Sequence, residues 1–313
     1  YGMYQPDAAI AVEIDGSTYL LTANEGDARD YDFWSEEERI EDITLDPTAF
    51  PNASDLQNED SLGRLLITTT LGDVDGDGDF DELYNYGARS FSIWDANGAL
   101  IYDSGDEFEQ ITATEYPDNF NSNNDDNDSK KARSDDKGPE PEAIVAMQFG
   151  DRTFAVIGNE RMSNLMIYEI TDPMNPEFIG SEFNRDFSVD ADDADAGDLG
   201  PEDLKFIDKS NTPDGEHWLI VSNEVSGTIS FYHVEEDITT GVKEMEADLL
   251  KVYPNPATDI VNFSKPASFN LISVSGKLMG TYQNINSLNV SEFDSGVYFI
   301  QTNENEVVKL IVE

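Results

Sequence analysis

The chain has 313 residues, enough for one large domain or two ordinary ones with a buried core. Lys and Arg total 18 against 66 Asp and Glu, and this net charge of −48 excludes nucleic acid and disfavours anionic membranes as partners. Cysteine is absent and only two His are present, which excludes disulfides, thiol catalysis and Cys-ligated zinc. Any metal should therefore be a hard cation held by oxygen. No apolar run approaches the about 18 residues of a transmembrane helix.

Three segments of the chain repeat one pattern: a Pro-acid pair, a strand, a turn, a second strand and an Asn-Glu pair. The segments run from 5 to 26, from 140 to 161 and from 200 to 225. A third strand follows each copy, at 89–95, 164–170 and 228–234, and in the first two copies a turn and a fourth strand come next. Repeated units of four short strands are typical of β-propeller blades.

The repeats predict an all-β fold with about three propeller blades in residues 1–247. A two-sheet sandwich would account for the strands, but it would not account for the recurring Pro-acid and Asn-Glu pairs. Propellers need at least about four blades to close. The chain also opens on Tyr1 in what reads as the middle of a domain, so we expect further blades to precede it.

Equivalent positions of neighbouring blades converge around the propeller axis, so the recurring acids should gather at one mouth of the central channel. The predicted metal ligands before the first strands are Asp7, Glu142 and Glu202, and the Asn-Glu pairs contribute Glu25, Glu160 and Glu224. Six uncompensated carboxylates would raise one another's pKa values, and a divalent cation or an Arg would relieve this. The alternative is that each Glu caps a turn while each Asn bonds local backbone.

The stretch "DVDGDGDFDEL", residues 73–83, lies in a long insertion of the first repeat and resembles an isolated calcium loop. Its spacing matches positions 1, 3, 5, 6 and 9 of such a loop, with Gly78 at position 6. The predicted ligands are Asp73, Asp75, Asp77 and Asp81, together with Asp79 through its backbone carbonyl. Position 12, where a bidentate Glu belongs, is Tyr84, and the flanks read as strands. We expect a structural Ca²⁺ here; the alternative is a solvated acidic turn.

A second acidic insertion runs from 103 to 142 and ends in "RSDDKGPEPE", which we expect to cover the channel mouth.

The composition of the chain changes near residue 248, since residues 248–313 hold 7 acidic and 4 basic residues. Their short alternating strands predict a small β-sandwich. The motifs "VYPNPATD", "SVSGKLM", "SGVYFIQ" and "KLIVE" resemble the C-terminal sorting domain of type IX secretion cargo in the Bacteroidetes. This resemblance implies export by the type IX secretion machinery to the cell surface or medium.

Residues 1–247 resemble the choice-of-anchor I proteins, which are secreted propellers. The motifs that carry the resemblance are "GMYQPDAAIA", "TANEGDARDY", "YGARSFSIWD", "RSDDKGPEPEAI", "GNERMSNLMIYEI" and "SNEVSGTISFY". Members are often labelled alkaline phosphatase-like, and some are fused to a metallophosphatase. The resemblance therefore implies phosphoester chemistry only indirectly, because the label can come from the fused partner.

Two functions fit these observations. The first is a calcium-dependent phosphoric ester hydrolase of the phytase or alkaline phosphatase kind, acting on a small phosphoester. In it Glu25, Glu160 and Glu224 would hold Ca²⁺, or another divalent or trivalent metal, while Arg89 or Arg161 clamps phosphate oxygens. The second is a non-catalytic adhesion or ligand-binding propeller at the cell surface, in which metal only stabilises the fold.

Overall fold

The computed structural model describes residues 1–235, 250, 252–274, 277–291, 293, 295–302 and 307–312. The chain divides into two compact units, Tyr1–Glu236 and Asp237–Glu313. The boundary predicted between residues 247 and 248 lies outside the described residues.

Strands dominate the larger unit, as the repeats predict. In chain order they are β1 (Ala8–Ile14), β2 (Ser17–Ala23), β3 (Asp30–Tyr31), β4 (Trp34–Ser35), β5 (Glu37–Arg39), β6 (Leu66–Thr68), β7 (Phe91–Asp95), β8 (Leu100–Asp103), β9 (Pro141–Phe149), β10 (Arg152–Asn159), β11 (Asn164–Glu169), β12 (Glu177–Phe183), β13 (Pro201–Ile207), β14 (His217–Asn223) and β15 (Thr228–Val234).

These strands form three antiparallel sheets, one from each repeat. The sheet orders are β1-β2-β7-β8, β9-β10-β11-β12 and β13-β14-β15. The first strand of the middle sheet, β9, packs against both β1 and β13, so the first strands of the three sheets are the inner ones. This is the arrangement of adjacent propeller blades, and it confirms the predicted partial propeller.

The core of the larger unit lies between the first two blades. It contains Leu21 and Phe91 from the first sheet and Ile157 and Tyr168 from the second, all fully buried. The rings of Phe91 and Tyr168 lie 4.9 Å apart between centroids. Burying two aromatic side chains on facing sheets stabilises the contact by several kcal/mol, about 1.5–3 for each large apolar side chain.

Two insertions leave the first sheet. The first, between β2 and β7, carries β3 to β6, the 3₁₀ helix η1 (Ile40–Asp42) and the short helix α1 (Ala53–Leu56). It has its own small core around Ile40 and Ile67. The second, between β8 and β9, contains the helix α2 (Glu107–Glu115) followed by irregular backbone. A further 3₁₀ helix, η2 (Lys209–Asn211), lies between β13 and β14.

The C-terminal unit is rich in β-structure, as the sequence predicts, but its described strands form one sheet where a small β-sandwich was expected. Its strands are β16 (Val252–Tyr253), β17 (Ile260–Ser273), β18 (Leu278–Asn289), β19 (Gly296–Thr302) and β20 (Val307–Val312). They form one curled five-stranded sheet around a core that includes Val261, Phe269, Leu271 and Ile300. Neither α-helix of the described residues is long and apolar enough to cross a membrane.

Candidate metal centre at the channel mouth

The Pro-acid and Asn-Glu pairs of each repeat meet at the same end of the inner hairpin. Pro141 pairs with Asn159 in the second blade, and Pro201 pairs with Asn223 in the third. The backbone N–H of Glu160 donates to the carbonyl of Glu140 (2.9 Å), and that of Glu224 donates to the carbonyl of Gly200 (2.7 Å). The strand register therefore brings the acid of each Pro-acid pair to the level of the Glu that follows the second strand.

The residue before each of these prolines has a left-handed backbone. The φ angles are +37° at Gln5, +53° at Glu140 and +70° at Gly200. Only glycine adopts this region without steric cost, and a non-glycine residue pays on the order of 1 kcal/mol or more for it. The fold holds Gln5 and Glu140 in this conformation, which turns the Pro-acid pair onto the inner strand.

The Asn of each Asn-Glu pair joins the second strand to the third. Asn24 Nδ2 donates to Ser90 Oγ (3.1 Å) and Ser92 Oγ (2.7 Å), and Asn223 Nδ2 donates to Thr228 Oγ1 (3.2 Å) and Ser230 Oγ (3.0 Å). In the second blade Asn159 Nδ2 donates to Asn164 Oδ1 at 3.1 Å. Each Asn thus bonds side chains at the third strand, and not the local backbone that the alternative interpretation of the sequence assigned to it. The neighbouring Glu is left to face the mouth.

The Glu residues lie close to the acids of the Pro-acid pairs. Asp7 precedes β1 as predicted, whereas Glu142 and Glu202 are the second residues of β9 and β13, because these strands begin at the proline. We call the seven carboxylates at this end the mouth cluster: Asp7, Glu25, Glu140, Glu142, Glu160, Glu202 and Glu224. Oxygen atoms of Asp7, Glu25 and Glu142 all lie within 4.8 Å of one another, and so do those of Glu25, Glu140 and Glu160. Glu25 belongs to both groups. Two oxygens that share one Ca²⁺ can be at most about 5.2 Å apart, twice the longest Ca–O bond, so either group could share a cation.

Four carboxyl groups of the mouth cluster, those of Glu25, Glu142, Glu160 and Glu202, hold protons more tightly than usual, because their pKa values are raised. Burial, followed by the charges of Glu25 and Glu160, raises the pKa of Glu142 to about 9. Burial also raises the pKa of Glu25 to about 7, against the opposing effect of Lys137. The pKa of Glu202 is likewise raised to about 7 by burial and by a hydrogen bond with Glu224. Carboxylates packed this closely cannot all be charged without a compensating cation.

Glu140 differs from the other acids because three cations surround it. Its side chain is fully buried and accepts ion pairs from Arg133 (2.5 Å), Arg161 (2.9 Å) and Lys137 (3.2 Å). Burial raises the pKa of Glu140, but the hydrogen bond from Arg161 and the three positive charges outweigh it and lower the pKa. Lys137 also reaches Glu25 at 2.6 Å, so one ammonium links the first and second blades.

Glu160 is held by the second insertion and by its own neighbour. Asn124 Nδ2 donates to Glu160 Oε1 at 2.5 Å, and Arg161 lies 3.2 Å from the same oxygen. Arg185 is buried and secures this part of the insertion, because its guanidinium donates to the carbonyls of Arg161 (2.8 Å) and Asn123 (2.6 Å). The second insertion therefore covers the mouth cluster, as the sequence suggested.

Three predicted site residues, Glu202, Glu224 and Arg89, lie apart from these groups. Glu224 contacts Glu202 and belongs to neither group of three oxygens, whereas Glu25 and Glu160 share one. The guanidinium of Arg89 binds the second insertion. It donates hydrogen bonds to the Glu109 carboxylate (3.1 Å) and to the carbonyls of Ser134 (3.0 Å) and Asp136 (2.8 Å). In this arrangement Arg89 orders the loop that carries Lys137, while Arg161 lies beside the carboxylates.

The aspartate-rich loop forms a second candidate cation site, on the first insertion. Asp73 accepts hydrogen bonds from the backbone N–H groups of Gly76 (2.7 Å), Asp77 (3.1 Å) and Gly78 (3.1 Å), which curl the loop around its carboxylate. Oxygens of Asp73, Asp75 and Asp81 lie within 4.8 Å of one another.

The side chains of Asp77 and Asp79 lie outside this group of three. Asp79 joins Asp81 and Asp46 in a neighbouring group of three, and Asp77 belongs to neither group. Burial, with the charge of Asp77, raises the pKa of Asp79 to about 6. Asp46 had no signal in the sequence, because it lies 27 residues before Asp73 in an unrelated turn.

The sequence also gave no site role to Glu140, Lys137 and Asn124. Glu140 could have been found, since it precedes Pro141 at the position that Gln5 and Gly200 occupy in the other repeats. Lys137 and Asn124 lie in an irregular insertion, and Lys137 is 112 residues from Glu25. Nothing in the local sequence indicates which part of such a loop reaches the mouth.

The fold and this cluster define an all-β protein of the propeller class with a carboxylate-lined channel mouth. Comparison with known sequences gives the family: the choice-of-anchor I domain matches residues 1–173, and the chain belongs to that family. A secretion system C-terminal sorting domain matches residues 251–313. The protein is therefore secreted or carried at the cell surface and is handled by type IX secretion.

A curated relative is Gigasin-3a of Magallana gigas, which is 33% identical over 190 residues. The match covers 57% of this chain and 66% of the relative.

Proposed function

We propose that this secreted protein is a calcium-binding propeller whose mouth cluster holds the cation. The observation that carries the proposal is the approach of Asp7, Glu25 and Glu142 to within 4.8 Å between oxygens, at the point where three inner strands converge. The donors are carboxylate oxygens, which suit Ca²⁺ and exclude soft metals.

The charge balance of the mouth supports a bound cation. The seven carboxylates of the mouth cluster have three basic side chains near them, Arg133, Lys137 and Arg161. Arg133 and Arg161 both form ion pairs with Glu140. Asp7 and Glu142 have no ion pair with any of the described cations at this end. Their negative charge is the part that a divalent cation would neutralise, since Lys137 already reaches Glu25.

The test is calcium binding by the full chain, measured by titration calorimetry after chelation and dialysis. The double substitution Glu25→Gln and Glu142→Gln should remove one equivalent of Ca²⁺, while the matched control Asp118→Asn should not, because Asp118 is 99% exposed. Unchanged stoichiometry in the double variant would contradict the proposal.

A second candidate, phosphoester hydrolysis, has one observation in its favour. Arg161 Nε is buried and has no hydrogen-bond partner among the described residues, although the same guanidinium lies beside Glu140 and Glu160. A free donor next to a cation site is suited to a phosphate oxygen. Bound metal would polarise the phosphate and lower the pKa of a water. Glu160, oriented by Asn124, would accept that water's proton.

Hydrolysis of p-nitrophenyl phosphate by the full chain, with and without chelator, separates the two candidates. Enzyme activity should require Ca²⁺ and should be lost in Glu160→Gln and in Arg161→Met. Calcium uptake without turnover would leave the non-catalytic ligand-binding propeller as the function.

A further inference from the structure

An aromatic hairpin forms part of the first insertion. Strands β3 and β4 pair Asp30 with Ser35 and Tyr31 with Trp34, which leaves Asp32 and Phe33 as the two-residue turn. Phe33 is 87% exposed, Tyr31 55% and Trp34 42%. Large aromatic side chains of soluble proteins are usually covered, and three exposed together mark an interaction site.

The exposed rings of the hairpin are ordered by contacts at its base. Arg29 donates from its backbone N–H to Glu36 Oε1 (2.9 Å) and from its guanidinium to Glu36 Oε2 (3.0 and 2.5 Å), while Glu36 N–H donates back to the Arg29 carbonyl (3.1 Å). Glu36 is almost fully buried. Four hydrogen bonds between Arg29 and Glu36 therefore fix the two ends of the hairpin to each other.

The rings themselves are also arranged. Tyr31 and Phe33 are stacked, with centroids 5.7 Å apart and planes 9° from parallel, and the Arg29 guanidinium lies 5.3 Å from the Trp34 centroid. Side chains that are fixed before binding lose little conformational entropy when a partner docks. A partner can therefore bind this ordered, exposed aromatic surface with little loss of conformational entropy.

The charges around the rings determine the chemistry of that partner. Asp30 and Asp32 belong to the hairpin itself and are exposed, and the whole chain carries −48. Anionic lipids, nucleic acids and acidic polysaccharides would be repelled. Cations are attracted both by the carboxylates and by the negative faces of aromatic rings, as the Arg29–Trp34 contact illustrates within the chain.

We propose that the aromatic hairpin docks an Arg- or Lys-bearing segment of a partner protein. The basic side chains would lie over the rings of Tyr31, Phe33 and Trp34, with Asp30 and Asp32 pairing their charges. This surface does not depend on metal at the mouth cluster, and it would act whether or not the protein is an enzyme.

The experiment measures binding of a fluorescent oligo-arginine peptide to the full chain by anisotropy. An acidic protein attracts such a peptide everywhere, so the informative variants are neutral ones: the triple substitution Tyr31→Ser, Phe33→Ser and Trp34→Ser leaves the charge at −48. A matched control is Phe231→Ser, since Phe231 is an exposed aromatic (59%) on β15. Measurements at about 1 M salt, where the Debye length is about 3 Å, suppress the general attraction.

We expect the triple variant to bind the peptide about tenfold or more weakly than the parent and the Phe231→Ser control to match the parent. If the triple variant does not fold, Phe33→Ser alone is used, because a side chain this exposed is not needed for folding; it should lose a measurable part of the affinity. Equal binding by parent and hairpin variants would overturn the proposal. So would aromatic-dependent binding of a neutral cello-oligosaccharide without aromatic-dependent peptide binding, which would reassign the hairpin to carbohydrate.

Discussion

Replacing Glu140 by Gln should destabilise the larger unit strongly. The substitution keeps the shape of the side chain and removes its charge, so Arg133, Arg161 and Lys137 lose the one fully buried anion that they share. Removing one partner of a buried ion pair typically costs about 3–5 kcal/mol. For a unit of this size, 1 kcal/mol shifts the melting temperature by about 2–4 °C, so we expect a fall of about 6–20 °C.

Thermal unfolding followed by circular dichroism in chelator tests this expectation, since chelator removes any contribution from bound metal. The control Asp118→Asn also removes one acidic charge, but its side chain is 99% exposed and its pair with Lys130 spans 4.0 Å. Such a pair contributes about 0–1 kcal/mol. A melting temperature for Glu140→Gln within about 2 °C of the control would refute the assignment of Glu140 as the charge centre of the mouth.

Three further predictions concern the calcium loop, the pH dependence and the tail. Replacing Asp73 and Asp81 together by Ala should remove one equivalent of Ca²⁺ in calorimetry without affecting the mouth cluster, and retention of full stoichiometry would leave the loop as a solvated turn. Because the pKa of Glu142 rises from 4.5 to about 9 on folding, the calcium-free folded state keeps a proton that the unfolded chain releases, so stability should fall as pH rises from about 5 to 9. Excess Ca²⁺ should flatten this profile, and a melting temperature that rises with pH in chelator would show the opposite sign. Deleting residues 249–313 should keep the protein in the periplasm while leaving the melting of the larger unit unchanged; surface localisation of the truncated protein would argue against the tail as the export signal.

The repeats carried most of what could be predicted about the fold. Pro141 and Asn159 end up opposite each other because strand length and turn length are encoded locally, and the same spacing recurs at Pro201 and Asn223. The spacing between the Pro-acid and Asn-Glu pairs was therefore enough to predict that the recurring acids lie at one end of the inner strands. The spacing could not predict which acids come within bonding distance of one another, and Glu224 contacts Glu202 instead of Glu25.

The insertions were less predictable for a physical reason. Irregular backbone has no periodicity that fixes the direction of a side chain, so the reach of Lys137 to Glu25 and the contact of Asn124 with Glu160 depend on tertiary packing. The same applies to Asp77 and Asp79, whose alternation suggested that both serve one ion. Backbone hydrogen bonds to Asp73 curl the loop so that Asp79 faces Asp46 instead.

The carboxylates of the mouth cluster and the basic side chains that neutralise them come from different parts of the chain. Most of its carboxylates stand at the ends of strands in the three sheets, while Lys137 and Arg133 belong to the second insertion. The sheets alone would bring mutually repelling acids together, so their closure is coupled to the arrival of the loop. Exchange of that single loop between relatives would change the charge at the mouth without altering a strand. The same set of strands could in this way support channel mouths with high, low or no affinity for a cation.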